Sequence, residues 1–494
     1  MDEKLQKKSV VAAGAMGARV VITGVVQVLS LLVLSKFLSP RDFGVSSIAI
    51  TAMTYFSTFG DLGLNIGIVR SREKIDDLAP LALTLQMIVC YGLFSLYWMF
   101  IFVFSFDADN AVIESINLAT FVLLILPFRG IWIALLERDL KYGRVSFAES
   151  SQAIVAGVIS CLAAYFGAKH LSIVIGQLSG FVACALILSL FRPSKISFSL
   201  NIAEHKAFLK LGGAFQLQML LNLSKELWRP IVIGGILGAE ALGYVDWAKK
   251  LIQQIVSIGY QVGRIIVPTM SRLQNGSSMR DQGEKLEVWT PSQMLSQYIL
   301  FSSMIFFSVV SIILAYSQEI ISIFFGPKWL PAEYLIIMFC SDLINVAISL
   351  PLYQALVSVM SARVAVKISV IFLISEWVIS VIALKFLGVL GAGVSSIIIG
   401  VFFPVLYIYQ LKISAGWTIN PYRLIWKYLL VSIFVGISWR IFHNEAGDLF
   451  GLFVGCFGVF LVNSTLVMLV DSKIREIFKV IFANILKSLY FQRG

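Results

Sequence analysis

The chain has 494 residues, of which 58% are hydrophobic and 14% charged, with a mean hydropathy of +0.87. A soluble chain carries about 25% charged residues and no single core absorbs this much apolar surface, which excludes a soluble enzyme, a disordered chain and a secreted disulfide scaffold. The net charge of +11, from 39 Lys and Arg against 28 Asp and Glu, is read as an excess held in cytoplasmic loops of a membrane protein.

From the N-terminus, MDEKLQKKSV lacks a compact apolar core and a small-residue cleavage site, so the first apolar stretch is expected to stay in the mature chain. A helix needs about 20 apolar residues to cross the hydrocarbon layer. Segments of that kind fall at 17–38, 45–69, 80–104, 115–136, 148–168, 171–191, 209–237, 244–271, 297–316, 334–358, 366–386, 391–411, 425–443 and 449–470. They are too long and too uniformly apolar for barrel strands. The expected fold is therefore an all-α polytopic membrane protein of about 14 transmembrane helices. With the N-terminus inside, 27 Lys and Arg lie in cytoplasmic segments against 8 outside, Lys249 and Lys250 among the latter. That bias sets both termini in the cytoplasm, and the acidic stretch 106–110 falls outside. A linker is expected around 272–294, and an interfacial helix over 472–494, with Ile474, Ile477, Phe478, Ile481, Ile485 and Leu489 on one face.

The segments 37–49 and 236–248 share one pattern at a constant offset of 199: apolar, Leu, small, any, charged, any, apolar, Gly, ending in Ala. Six spans separate the copies, which predicts two six-helix lobes related by an axis along the membrane normal. The expected divisions are 1–208, 209–411, two additional helices over 412–470, and a tail over 471–494.

Polar residues recur at helical spacing in corresponding spans of the two lobes, where lipid tolerates none. Span one has Arg19, Thr23, Gln27 and Ser30; span two has Ser47, Thr51, Thr54, Thr58, Asp61 and Asn65. Span seven has Gln218, Asn222, Lys225 and Arg229; span eight has Asp246, Lys250, Gln253, Ser257, Tyr260 and Arg264, with Gln254 alongside. A water-filled cavity between the lobes is the expectation. Each charge near the bilayer centre costs about 2.5–3.5 kcal/mol, so Lys225, Arg229, Arg264 and Arg129 are candidate ligands for an anionic group. Phosphate or pyrophosphate fits them, because Arg forks match phosphate oxygens and Lys adds a point charge. The competing reading pairs Glu226 with Arg229 and lets the other arginines snorkel. Asp61, Glu226 and Asp246 are candidate coupling-ion residues. The two glycines in Phe59-Gly60-Asp61-Leu62-Gly63 suggest tight packing or a bend.

The five cysteines lie in apolar stretches without a C-x-x-C pair, and the three histidines are far apart, so neither a metal nor a cofactor is expected. No G-x-S-x-G, Walker A, H-E-x-x-H or paired-carboxylate arrangement is found. That points to transport rather than catalysis, driven by an ion gradient, the membrane potential or the cargo's own gradient.

Several motifs carry a resemblance. They are Leu38-Ser39-Pro40-Arg41-Asp42-Phe43-Gly44, Phe59-Gly60-Asp61-Leu62-Gly63-Leu64 through Val69-Arg70, and Glu137-Arg138-Asp139-Leu140-Lys141-Tyr142. Leu237-Gly238 with Leu242-Gly243-Tyr244 and Ala248, and Phe325-Gly326-Pro327-Lys328-Trp329, complete the set. In this order, over about residues 10–410, the chain resembles the Wzx-type lipid-linked oligosaccharide flippases of the multidrug/oligosaccharidyl-lipid/polysaccharide exporter superfamily, nearest the colanic-acid-type branch. The resemblance implies a V-shaped pair of bundles working by alternating access. Its cargo is then an undecaprenyl-pyrophosphate oligosaccharide carried to the periplasmic leaflet of a bacterial inner membrane. It further implies a monomer in the lipid bilayer with a polysaccharide polymerase and glycosyltransferases as partners, and no nucleic acid. Family members often carry an Asp or small polar residue where Arg229 precedes Pro230 here. A lipid II flippase, a multidrug exporter, and a membrane glycan polymerase or ligase are the alternatives.

Overall fold

The computed structural model describes residues 3–71, 75–103, 109–191, 197–202, 205–263, 290–360, 362–442 and 449–470. Among these residues all regular structure is helical, and the chain divides into two compact units, Met1–Trp247 and Ala248–Gly494. The first holds α1 (Glu3–Phe37), α2 (Pro40–Asp61), α3 (Leu64–Arg70), α4 (Ile75–Val103), α5 (Asn110–Thr120), α6 (Val122–Arg138), α7 (Tyr142–Tyr165), α8 (Ser172–Phe191) and α9 (Lys206–Ser224). A widened, π-type helix over Arg229–Leu237 and the first turns of α10 (Gly238–Gly263) follow. The second unit holds the rest of α10, then α11 (Pro291–Ile320), α12 (Glu333–Val359), α13 (Ala362–Leu387), α14 (Leu390–Ala415), α15 (Pro421–Phe442) and α16 (Leu449–Val470). Most of the expected linker, the interfacial tail and Arg264 lie outside the described residues.

Twelve helical segments are long and apolar enough to cross a membrane, judged by length and composition. One of them, Lys206–Ser257, is a 52-residue run that joins the seventh and eighth expected spans. The second expected span, α2, does not meet the same apolar measure. Ser46, Ser47, Thr51, Thr54, Ser57, Thr58 and Asp61 dilute it. With that run divided and α2 included, the polytopic all-α fold matches the reading from sequence.

The Leu-Ser-Pro-Arg-Asp-Phe-Gly motif is a helix start. Ser39 caps α2 by accepting from the Asp42 amide at 3.1 Å, while Asp42 Oδ2 accepts from the Ser39 amide at 3.1 Å and its hydroxyl at 2.6 Å. Pro40 fits the first helical turn, where its missing N–H is not needed. Arg41 reaches Asp109, the cap of α5, at 2.7 Å, and its guanidinium holds that carboxyl below the usual carboxylate range.

The two copies of the repeat meet at their glycines. A side chain on Gly44 would overlap the carbonyl oxygen of Ala239, and one on Gly243 would overlap that of Pro40. An offset of 199 turns Pro40 into Ala239 and Gly44 into Gly243, so the contact is reciprocal. A turn further on, Trp247 Nε1 donates to Ser35 Oγ at 2.8 Å, and the counterpart pair Ile48 and Gly234 also meets. Only glycine lets two backbones approach so closely.

In the second unit the last two helices are tied to α11 by polar bonds as well as by apolar packing. Buried Glu333 accepts from Ser317 at 2.7 Å, Gln318 at 2.9 Å and Arg440 at 2.6 Å. Asn463 of α16 accepts from Ser432 of α15 and donates to Ser308 of α11, both at 3.0 Å.

Gly44→Ala and Gly243→Ala should each lower the thermal stability of the detergent-purified protein, by on the order of 1–3 kcal/mol. Gly92→Ala, where a methyl group meets nothing within 4 Å, should leave it unchanged or raise it. Equal behaviour of the three variants in a thermal melt would contradict the glycine contact.

Candidate functional site

In the first unit the polar face of α2 ends at Asp61, and the chain leaves the helix through Leu62 (φ 53°) and Gly63 (φ 66°). Gly63 is required by that backbone and again by packing, since a side chain would overlap the Gly212 carbonyl of α9. The turn starts α3 and sets Asn65 beside Asp61. Gln86 of α4 closes the corner: its Nε2 lies 2.9 Å from the Asp61 carbonyl oxygen, 3.2 Å from Asp61 Oδ1 and 3.2 Å from Asn65 Oδ1. Gly130 of α6 leaves room for the Asn65 carboxamide.

Arg129 precedes Gly130. Its Nε donates to Gln152 at 3.1 Å, its NH2 stands 3.8 Å from Glu149, and its guanidinium lies over the Phe181 ring at 4.9 Å. The other carboxylate oxygen of Glu149 accepts from Arg19 of α1. Thr54, Ser57, Thr58, Asp61, Asn65, Gln86 and Arg129 line, with Leu126, Phe181 and Met219, a cavity of about 250 Å³. Its hydroxyls donate back along α2, Thr54 to Ile50 and Ser57 to Met53 at 2.8 Å and Thr58 to Thr54 at 2.9 Å. They therefore present lone pairs and can rotate to donate elsewhere. The formal charges of Asp61, Arg129, Glu149 and Arg19 cancel, so the surroundings are polar without being cationic.

A second cluster forms where the seventh expected span breaks. After Ser224 the helix opens through a turn at Lys225–Leu227 and resumes as the π-type stretch, with Pro230 in its first turn. Arg229 NH1 lies 2.5 Å from Glu226 Oε2 and its Nε 3.0 Å from Asp246 Oδ1. Lys225 Nζ donates to Asn222 at 3.2 Å. Discontinuous helices of this kind line transport pathways in membrane proteins.

Of the residues singled out from sequence, the structure brings Thr54, Thr58, Asp61, Asn65 and Arg129 to one cavity, and Glu226, Arg229 and Asp246 to one ion cluster. The expected excess of positive charge changes character, because Arg129 and Arg229 each face carboxylates. Thr51 lies one turn before Thr54 and donates to Ser47 at 2.8 Å. Gln27 on α1 and Gln218 and Asn222 on α9 are exposed. Lys250, Gln253, Gln254 and Ser257 follow one another on α10 in the second unit, where Ser257 donates to the Gln254 carbonyl at 2.7 Å. Lys249 and Lys250, assigned above to an external segment, sit three turns inside α10.

Sequence reasoning passed over Gln86, Glu149, Gln152 and Asp342. Asp342 carried a usable signal, as the one charged side chain between Glu333 and Arg363. An intramembrane carboxylate is a functional candidate by default.

The curated relatives are distant. The chain is 23% identical over 313 residues to a putative O-antigen transporter of Shigella flexneri, covering 60% of this chain and 72% of that protein. It is 22% identical over 325 residues to the lipopolysaccharide biosynthesis protein WzxC of Escherichia coli K12, covering 63% of this chain and 62% of the relative, less than two thirds of its length. Its fold is that of a solved lipid II flippase MurJ, with a TM-score of 0.71, 14% identity, and coverage of 92% of this chain and 98% of the other. Residues 33–334, more than half of the chain, match the family model described as polysaccharide biosynthesis protein, and the chain belongs to that family.

Proposed function

We propose that this protein is a flippase that carries lipid-linked oligosaccharide, on an undecaprenyl-pyrophosphate carrier, from the cytoplasmic to the periplasmic leaflet of a bacterial inner membrane. The observation that carries the reading is the polar cavity of the first unit, set inside an otherwise apolar, multi-pass helical chain of the polysaccharide biosynthesis family. Hydroxyls and carboxamides on three helices offer the mixed donors and acceptors that sugars require. Arg129, its charge met at 3.8 Å by a carboxylate that Arg19 also holds, can turn to a phosphate oxygen without leaving Glu149 unpaired.

The protein acts without catalysis, and its cargo's polyprenyl tail stays in lipid while the head enters the protein. The lobes expected at 1–208 and 209–411 alternate in exposing the site. The chain works as a monomer that receives cargo from glycosyltransferases and passes it to a polymerase. Arg229 differs from Arg129. With Glu226 and Asp246 both on it, its charge is committed to joining the π-type stretch to α10.

Arg129→Gln should remove most surface polysaccharide from cells while membrane levels of the protein stay at wild-type values; wild-type polymer in that variant would sink the cargo reading. In detergent, undecaprenyl-pyrophosphate oligosaccharide should raise the melting temperature of the wild-type protein, and polyprenol should not. Stabilisation by cationic drugs alone would favour a multidrug exporter.

Arg229→Gln should instead destabilise the protein, by about 1–3 kcal/mol, because the largely buried Asp246 loses an ion-pair partner, Glu226 being more than half exposed. The triple variant Arg229→Gln, Glu226→Gln, Asp246→Asn should recover most of that loss in the same melt. A triple variant as unstable as the single one would show that Arg229 does something other than balance those charges.

A further inference from the structure

The second unit holds an ion pair that the reading above does not use. Lys249 of α10 donates to Asp342 Oδ2 of α12 at 2.7 Å and lies 4.8 Å from the centre of the Phe339 ring. The other carboxylate oxygen, Oδ1, accepts from Ser396 of α14 at 2.6 Å. Both residues are well inside their helices, eleven positions from the start of α10 and nine from the start of α12. Ions so placed are retained when they have a task or a partner they cannot lose.

Two observations argue against a purely structural pin. The pair is not sealed, since the side chains of Lys249 and Asp342 keep 25% and 17% of their exposure. Beside it, α12 carries Ser341, Asn345 and Ser349 at intervals of four, one helical stripe. Their Oγ, Oδ1 and Oγ atoms are buried with no hydrogen-bond partner. Gly400 of α14 lies against Asn345, within 3.6 Å of where its own side chain would begin. Buried polar atoms are almost always satisfied in a finished core, so the stripe offers hydrogen-bonding capacity that a ligand beside the ion pair can use. The groups in contact with Asp342 are Lys249 from α10 and Ser396 from α14. From α11, Ser302 donates to the Ala347 carbonyl of α12 at 2.8 Å, and Tyr298 packs near Val346.

Lysine suits such an exchange better than arginine. Its ammonium is a compact charge with three donors on a flexible stem, so it changes partners without a fixed planar fit. Asp342 keeps the Ser396 hydroxyl when the lysine leaves. Lys249 then carries an unbalanced positive charge, which a phosphate oxygen can meet. The Ser341 hydroxyl and the Asn345 carboxamide, within one turn of Asp342 on α12, can donate to the same ligand.

We propose that Lys249 is an anion-binding residue held in reserve by Asp342: a phosphate oxygen of the cargo displaces the carboxylate, and Asp342 reclaims the lysine when the cargo leaves. This rests on the anionic, lipid-linked cargo inferred above. Asp342 acts as a competitor inside the site, weakening binding and speeding release.

The test is the dissociation constant of undecaprenyl pyrophosphate, without sugars, for the full chain in nanodiscs, with undecaprenol as the lipid control. Asp342→Asn should bind the pyrophosphate about tenfold more tightly than wild type and Lys249→Gln about tenfold more weakly, the worth of one charge-assisted hydrogen bond. Asp342→Asn should also release its ligand more slowly. Should either single variant fail to fold, the double variant Lys249→Gln, Asp342→Asn leaves no charge unpaired, and it should bind more weakly than wild type. Equal affinity in wild type and in every variant that folds overturns the reserve-lysine proposal and leaves the cargo reading standing. Wild-type protein that binds the pyrophosphate no better than undecaprenol overturns the cargo reading, and this proposal with it.

Discussion

Hydrocarbon offers a backbone amide no hydrogen bond and a charged side chain no hydration, so every polar group placed within a spanning helix must find its partner inside the protein. The interior of this chain is organised around that constraint. Among the described residues, several charges occur in small sets: Arg19 and Arg129 with Glu149, Arg229 with Glu226 and Asp246, Lys249 with Asp342, and Arg440 with Glu333. Each set joins helices distant in sequence or a broken helix to its continuation. Apolar packing brings the helices together, but in lipid it discriminates poorly between one apolar face and another. The ion sets and the amide of Gln86 supply the register that packing leaves open.

Glycine answers the other half of the constraint. Where backbones must come into contact to shut out lipid and water, side chains have to be absent, and the repeat places glycines there in both copies. Gly44 meets the Ala239 carbonyl and Gly243 meets the Pro40 carbonyl, positions that the 199-residue offset interchanges. A reciprocal contact of this kind forms when two related segments pack face to face about a local two-fold axis. The same short pattern that caps α2 therefore also makes its surface complementary to its own second copy. Local helix signals and tertiary packing agree here, which is the condition for a sequence to specify one structure.

Much of this was legible in the sequence because lipid imposes a one-dimensional rule. Span length and the absence of charge identify helices without reference to their neighbours, and the cap at Ser39, the repeat and the turn in Phe59-Gly60-Asp61-Leu62-Gly63 are local signals. Ion pairing is not local. Glu226 could be matched with Arg229 from their spacing of three, but Asp246 lies 17 residues from Arg229 and Glu149 lies 20 from Arg129. Only the fold shows them in contact. Lys249 was set outside because charges were assigned to the nearest loop, whereas α10 begins at Gly238 and carries it inward. Asp342 is the one charge in its span, and a single residue is lost in a span's average.

The closure of these charge sets bears on how an anion can be carried at all. A cavity lined by unpaired cations would hold pyrophosphate tightly and give it up slowly, and it would be expensive to insert into a membrane in the empty state. Cations that already have carboxylate partners avoid both difficulties. On the proposal made above, the cargo exchanges one partner for another, so the free energy difference between loaded and empty states stays small. Transport in both directions of the conformational cycle requires that small difference, because a carrier must return empty as readily as it moves loaded. Among the paired cations, Arg229 is held between two carboxylates, whereas Arg129 shares a single one and Lys249 meets one carboxylate beside the Phe339 ring. On the proposals made above, the ability to exchange follows from that ranking, with Arg129 and Lys249 placed to meet a ligand and Arg229 placed to hold the fold together.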